Sequence, residues 1–135
     1  HLATREFFEL AQRKLTPNGI VVANLISAVT GPSGKIARAF VKTERRIFPQ
    51  TYVFAARRPD NVSVDTIQNV IVVATKDKQR LDIKEIVKRA ATLDKGLFPD
   101  PINDLSVAYY DGAFPDQDVP ILTDDYAPTD NLLHP

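Results

Sequence analysis

Apolar positions follow two different patterns along this chain. Over residues 5–15 they recur at helical spacing: Phe7, Phe8, Leu10, Ala11 and Leu15 form a broad face among charged neighbours, as in an amphipathic helix. Thr4 suits the N-cap, and Thr16-Pro17-Asn18-Gly19 ends the element, because Pro17 cannot continue a helix and Asn18-Gly19 fits a turn. Ile20-Val21-Val22-Ala23-Asn24-Leu25-Ile26 comes next, nearly all apolar and without alternation. Such a run predicts a strand over residues 20–26 covered on both faces, as in a parallel sheet between helices.

Gly31-Pro32-Ser33-Gly34 predicts a loop, followed by a helix over residues 34–47. Ile36, Phe40, Val41 and Ile47 mark its inner side, and Lys35, Arg38, Lys42, Glu44, Arg45 and Arg46 a basic, solvated outer side. Phe48-Pro49 stops it. Residues 51–56 and 69–75 read as two further strands, with a loop starting at Pro59-Asp60-Asn61. A parallel pair needs a crossover of roughly a dozen residues or more, and no convincing helix lies between these two, so the third strand is expected to run antiparallel to its neighbour. Asp82 and Glu85 resemble a capping box for a helix over residues 83–93, and Gly96 fits its C-terminal stop. Beyond Leu97 the texture changes: six of the ten prolines and a run of aspartates lie there. This predicts an extended tail wrapped on a surface, with a short helix over residues 102–108 and with Tyr109, Tyr110 and Phe114 as apolar anchors. Residues 1–96 therefore form an α/β domain and residues 97–135 an acidic, proline-rich tail packed on it.

Composition narrows the function classes. The 17 basic and 17 acidic residues cancel, which disfavours a nucleic-acid partner. The absence of cysteine removes disulfides, thiolate catalysis and Cys-based zinc sites. The two histidines, His1 and His134, sit at opposite ends, a poor basis for a triad or a metal cluster. No apolar run approaches the ~20 residues of a membrane span, so no membrane contact by this chain is expected. No secretory signal is visible, and Asn61-Val62-Ser63 matches the N-glycosylation pattern only as chance would. Together these favour a cytoplasmic location, or a cytoplasmic domain of a membrane-fused parent. With no methionine at all, the chain is expected to be cut from something longer. The five glycines make no GxGxxG loop, so no cofactor site is expected here.

The order helix, strand, helix, strand, antiparallel strand resembles the closing half of a SAM-dependent-methyltransferase-like, Rossmann-like sheet. Two segments sharpen the resemblance. Leu2-Ala3-Thr4-Arg5-Glu6-Phe7-Phe8 with Leu15-Thr16-Pro17-Asn18-Gly19-Ile20-Val21-Val22 is similar to the "hLTTxEFF" helix and "LxPGGvhv" turn of the spermidine synthase family. Pro120-Ile121-Leu122-Thr123-Asp124-Asp125-Tyr126-Ala127-Pro128-Thr129-Asp130-Asn131-Leu132-Leu133 resembles the "LTDDyaPvdxLl" ending of bacterial and archaeal members. The chain departs from the family at Ala3, Asn18 and Thr129, and the likeness lapses over residues 76–119. It implies a parent that transfers an aminopropyl group from decarboxylated S-adenosylmethionine to putrescine or a related amine. It also implies that the cofactor loop and the catalytic aspartate precede His1, so the chain alone is expected to be inactive and to hold no catalytic residue, cofactor or metal.

Candidate substrate-binding residues are Asp124, Asp125, Tyr126 and Asp130. Carboxylates near a multivalent cation supply charge complementarity, and a tyrosine ring can flank an ammonium group. The competing and weightier reading is that these aspartates cap turns or short helices. Asn24 and Ser27, near the carboxyl end of the first strand, can face a ligand or satisfy loop backbone. Two other functions stay open: a fragment of a SAM-dependent methyltransferase, and a non-catalytic association domain. The edge of the first strand is expected to pair in a homo-oligomer or to lie under the tail.

Overall fold

The computed structural model describes residues 2–55, 63–94 and 104–133. The expectations for His1, Ala56, Asn61, Gly96, Ile102 and His134 lie outside these residues, as does the 96/97 boundary.

Helices and strands form close to the predicted positions, and Thr4 and Asp82 cap their helices as expected, although Glu85 pairs with Arg89 rather than completing a capping box. Helix α1 (Arg5–Lys14) is capped by Thr4, whose Oγ1 accepts from the Phe7 N–H at 3.4 Å. Its last carbonyls are held by a cation: Lys76 Nζ donates to Gln12 O and Leu15 O, both at 3.1 Å, a favourable placement at a helix C-terminus. Strand β1 (Ile20–Ser27) follows, then a 3-10 turn at Pro32–Gly34 and helix α2 (Lys35–Glu44). Strands β2 (Gln50–Ala55) and β3 (Gln68–Thr75) and helix α3 (Ile83–Leu93) come next. Asp82 caps α3 by accepting from Lys84 N–H at 2.7 Å. The short helices α4 (Asp104–Ala108) and α5 (Thr129–Leu133) belong to the tail.

The sheet has the order β1-β3-β2, with β3 antiparallel to both neighbours. The expected antiparallel third strand is therefore present. It sits in the middle, and β1 and β2 run parallel to each other on either side of it. On one face Val53, Val70, Val72 and Ala74 pack under α1 and α2, together with Phe8, Phe40, Val41 and Phe48. Phe8 meets Phe40 edge-on at 5.1 Å between ring centroids, and burying each such side chain stabilises by roughly 1.5–3 kcal/mol.

The opposite face corrects the expectation that β1 is covered on both sides. Its residues alternate strictly, and Ile20, Val22 and Ile26 are 54%, 57% and 71% exposed. The alternation belongs to position in the sheet rather than to composition: both faces of β1 are apolar, but only one has a helix against it. Helix α3 stands across a hollow from part of this second face, and none of its own residues is buried.

The outer side of α2 is a second correction. Arg38 and Glu44, expected on the solvated side, are 4% and 0% exposed, and Thr43 is 0% exposed. The tail covers Arg38 and Thr43 through polar contacts. Arg38 donates to Asp118, Pro115 O and Gly31 O, and Lys42 Nζ donates to Asp116 O and Val119 O, both at 2.7 Å. Thr43 Oγ1 accepts from the Leu122 N–H at 2.9 Å. Val119, Leu122 and Leu132 then pack on Ile36 and Ala39 as a second small core. Tyr109, Tyr110 and Phe114 anchor the tail as expected: Tyr109 bridges Phe54, Tyr110 N–H donates to Val53 O at 2.9 Å, and Phe114 packs against Tyr110.

Candidate functional site

Three places among the described residues combine polar chemistry or an opening with the features noted above. The first is the start of α1, where the two segments that carry the family resemblance meet. Thr4 Oγ1 donates to Asp124 Oδ1 at 2.7 Å, Asp124 N–H donates to Glu6 Oε2 at 3.0 Å, and Arg5 N–H donates to Leu122 O at 2.8 Å. Residues 4–6 and 122–124, far apart in the chain, thus form one clasp. Hydrogen bonds from its own backbone, from the Asp124 N–H and from Arg5 hold the Glu6 carboxyl below the usual carboxylate range. A negative charge at this helix start also complements the backbone N–H groups there.

Of the nominated substrate residues, Asp124 is thereby engaged in structure. Thr123 and Tyr126 close a tight turn on each other, Thr123 N–H donating to Tyr126 O at 3.0 Å and Tyr126 N–H donating to Thr123 O at 3.1 Å. The turn leaves the Tyr126 ring 59% exposed and the Asp125 carboxylate exposed. Asp130 lies exposed in the first turn of α5. Among the described residues, no three acidic or histidine side chains come together in a way that could hold a metal ion. Asn24 points from the open face of β1, opposite Ile71, while Ser27 is buried and donates to Ala28 O and Ser33 O. Ser27 therefore shapes the turn after β1.

The second place is the open sheet face. A hollow of about 410 Å³ lies between it and α3, lined by Ile20, Tyr52, Phe54, Ile71, Val73 and Ile86. It is almost wholly apolar, and it adjoins the unpaired edge of β1.

The third was not foreseen. Where α2 ends, Glu44 is fully buried, and neither of its oxygens has a hydrogen-bond partner. Burial pushes its carboxyl up to about 8, against the weaker pull of the Thr51 hydroxyl and the Arg45 charge. Beside it a smaller polar hollow of about 180 Å³ opens between Arg45, Thr51, Arg80 and the tail at Tyr109 and Phe114. The sequence held a signal for Glu44: it stands four residues after Phe40 and three after Val41, a spacing that puts it on the apolar side of the helix. Nothing in the local sequence signals the hollow, since its parts come from α2, β2, the turn after β3 and the tail.

Among the described residues, no helix is long and apolar enough to cross a membrane. Compared with known protein families, curated proteins and solved structures, the chain matches none.

Proposed function

We propose that this chain is the C-terminal α/β part of a spermidine-synthase-like aminopropyltransferase with a SAM-methyltransferase-like sheet, inactive by itself. Such a parent moves an aminopropyl group from decarboxylated S-adenosylmethionine to putrescine or a related amine. The observation that carries this reading is the sheet order: an antiparallel strand inserted between two parallel ones, with the face and edge of β1 open. The clasp adds to it, because the two segments that resemble the family are bonded to each other rather than scattered.

The open edge also suits a longer sheet. Helices α1 and α2 lie on the same face, and parallel strands joined through a helix cross over right-handedly in nearly all cases. The crossover from β1 through α2 to β2 moves across the sheet in one direction. A strand feeding α1 with the same hand would then lie parallel to β1 on its free edge. In this reading that strand and its flanking helices cover Ile20, Val22 and Ile26. Asp125, Asp130 and Tyr126 are the groups available to an amine, and Asp124 acts by holding the start of α1. Pairing of the same edge with a second copy is the competing arrangement.

The test is an aminopropyl-transfer assay with decarboxylated S-adenosylmethionine and putrescine, run on the 135-residue chain and on the protein with its preceding residues. Turnover by the longer form alone is expected, with monomeric hydrodynamic behaviour of the β1 edge region. Turnover by the short chain overturns the reading. Methyl transfer from S-adenosylmethionine by the longer form assigns it to the methyltransferases instead. A longer form with neither activity and a β1–β1 paired dimer makes it an association domain.

A further inference from the structure

We propose that the hollow between Arg45, Arg80 and Thr51 is a binding site for a phosphate dianion, free or as a phosphomonoester. It lies at the amino-terminal end of strand β2 and shares no residue with the clasp at the start of α1. It is therefore independent of the aminopropyltransferase reading.

Two like charges are brought together here, and neither forms an ion pair with a described residue. The Arg80 guanidinium is fixed in place: it donates to Thr51 O at 3.2 Å, Gln50 Oε1 at 3.3 Å and Tyr109 Oη at 2.8 Å, and lies 4.7 Å from the centroid of the Tyr52 ring. The Arg45 guanidinium stacks 5.3 Å from the Phe114 centroid and makes no hydrogen bond or ion pair with any described residue. Arg45 is an exposed residue, so apart from this ring contact its donors face solvent and are open to an oxyanion that a planar fork can meet. Partial burial and then the charge of Arg80 pull Arg45 below its ordinary value. An anion placed between the two guanidiniums would reverse that repulsion.

Thr51 lines the wall, but it is 3% exposed and its buried hydroxyl lies by the Glu44 carboxyl, so the donors facing the hollow are those of the two arginines. The volume of about 180 Å³ takes a tetrahedral oxyanion with one or two waters, given roughly 30 Å³ per water. Of the acidic groups nearby, Glu44 is kept protonated by burial at neutral pH. Asp116 lies near enough to favour the charged form of Arg45 but forms no ion pair with it, and Asp111 lines the hollow without pairing with either arginine. Charge therefore favours phosphate over a singly charged carboxylate.

The experiment titrates inorganic phosphate into the full protein at constant ionic strength, read by calorimetry and by thermal unfolding. Chloride and acetate serve as separate arms, and a simple phosphomonoester as a third. Saturable stabilisation by phosphate is expected, weakened at least tenfold in Arg45→Gln and unchanged in Arg46→Gln, a neighbouring exposed arginine outside the hollow. Arg45→Lys is expected to bind with intermediate strength, because it keeps the charge and loses the fork. Phosphomonoester binding as tight as inorganic phosphate makes the site a monoester reader, and weaker binding a site for the free ion. Either result upholds the proposal. Phosphate that acts no more strongly than chloride, acetate that binds equally well, or equal affinity in wild type and Arg45→Gln overturns it. The Arg45 side chain forms no hydrogen bond with any described residue, so a failure of Arg45→Gln to fold is not expected, and Arg45→Lys provides the second variant.

Discussion

Replacing Glu44 by glutamine isolates the energetic consequence of a carboxyl enclosed at the end of α2. In the folded chain the carboxyl is pushed up to about 8, against 4.5 for an ordinary glutamate. The folded state therefore binds this proton more tightly than the unfolded state, and unfolding is made easier wherever the unfolded chain can release it. The sign follows directly. The group's contribution is complete below pH 4.5, declines as pH rises, and is largely lost once pH passes 8. At about 1.4 kcal/mol per pKa unit, the loss is about 1 kcal/mol by pH 5, about 3 kcal/mol by pH 7 and about 5 kcal/mol by pH 9. Other carboxylates work in the opposite sense: Asp118 and Glu85 are held below the usual range by Arg38 and Arg89. Only the difference between wild type and variant isolates Glu44. Urea denaturation of both proteins from pH 4.5 to 9 should give a difference in unfolding free energy that changes by about 4 kcal/mol in favour of Glu44→Gln. The amide adds buried donors that the Thr51 hydroxyl can satisfy only in part, an offset of about 1–3 kcal/mol that does not depend on pH. Glu44→Met removes that offset and should be the more stable of the two at pH 7. A wild-type-minus-variant difference that stays flat across this range would show that the carboxyl is hydrated or paired, and that the enclosure described above is wrong.

Three other substitutions probe the remaining contacts. Thr4→Ala removes the α1 cap and the Asp124 partner together and should cost about 1–2 kcal/mol in chemical denaturation. Loss confined to the Asp124→Ala variant would refute the cap. Arg38→Met keeps the packing but cuts the contacts to Pro115 O, Gly31 O and Asp118. It should cost about 2 kcal/mol and expose residues 115–119 to limited proteolysis, and an unchanged cleavage pattern would mean that the tail is held elsewhere. Gly31 has φ +68° and ψ −173°, a conformation nearly reserved for glycine, so Gly31→Ala should lower stability by about 1–3 kcal/mol in the same assay. A neutral result would place the turn in another backbone conformation.

Elements whose identity depends on chemistry local in sequence were legible from the start. Thr4 and Asp82 mark helix starts because their side chains cap neighbouring backbone, and the short link between β2 and β3 dictates an antiparallel pair. Two features were misread, in opposite directions and for one reason. Arg38 and Glu44 looked solvated because charge along a helix usually marks a wet face. Around Arg38 the cover is polar, made of Pro115 O and Asp118 of the tail, while Glu44 is enclosed with neither oxygen hydrogen-bonded. Ile20, Val22 and Ile26 looked buried because a continuous apolar run usually has helices on both sides, and here one side is bare. Hydrophobic pattern reports what a residue is suited to meet, while burial reports what it does meet. Where the two disagree on the polar side, the missing information is a remote segment of the same chain, and the tail supplies it. Where they disagree on the apolar side, no described residue supplies the cover. Exposing three large aliphatic side chains on one strand forgoes roughly 1.5–3 kcal/mol apiece. That deficit falls on the same strand whose edge is unpaired, and both are met by a single added layer beside β1. This coincidence of open face and open edge is the physical reason to prefer a larger sheet over edge-to-edge pairing alone, since pairing β1 with a second copy satisfies its backbone but leaves Ile20, Val22 and Ile26 in water.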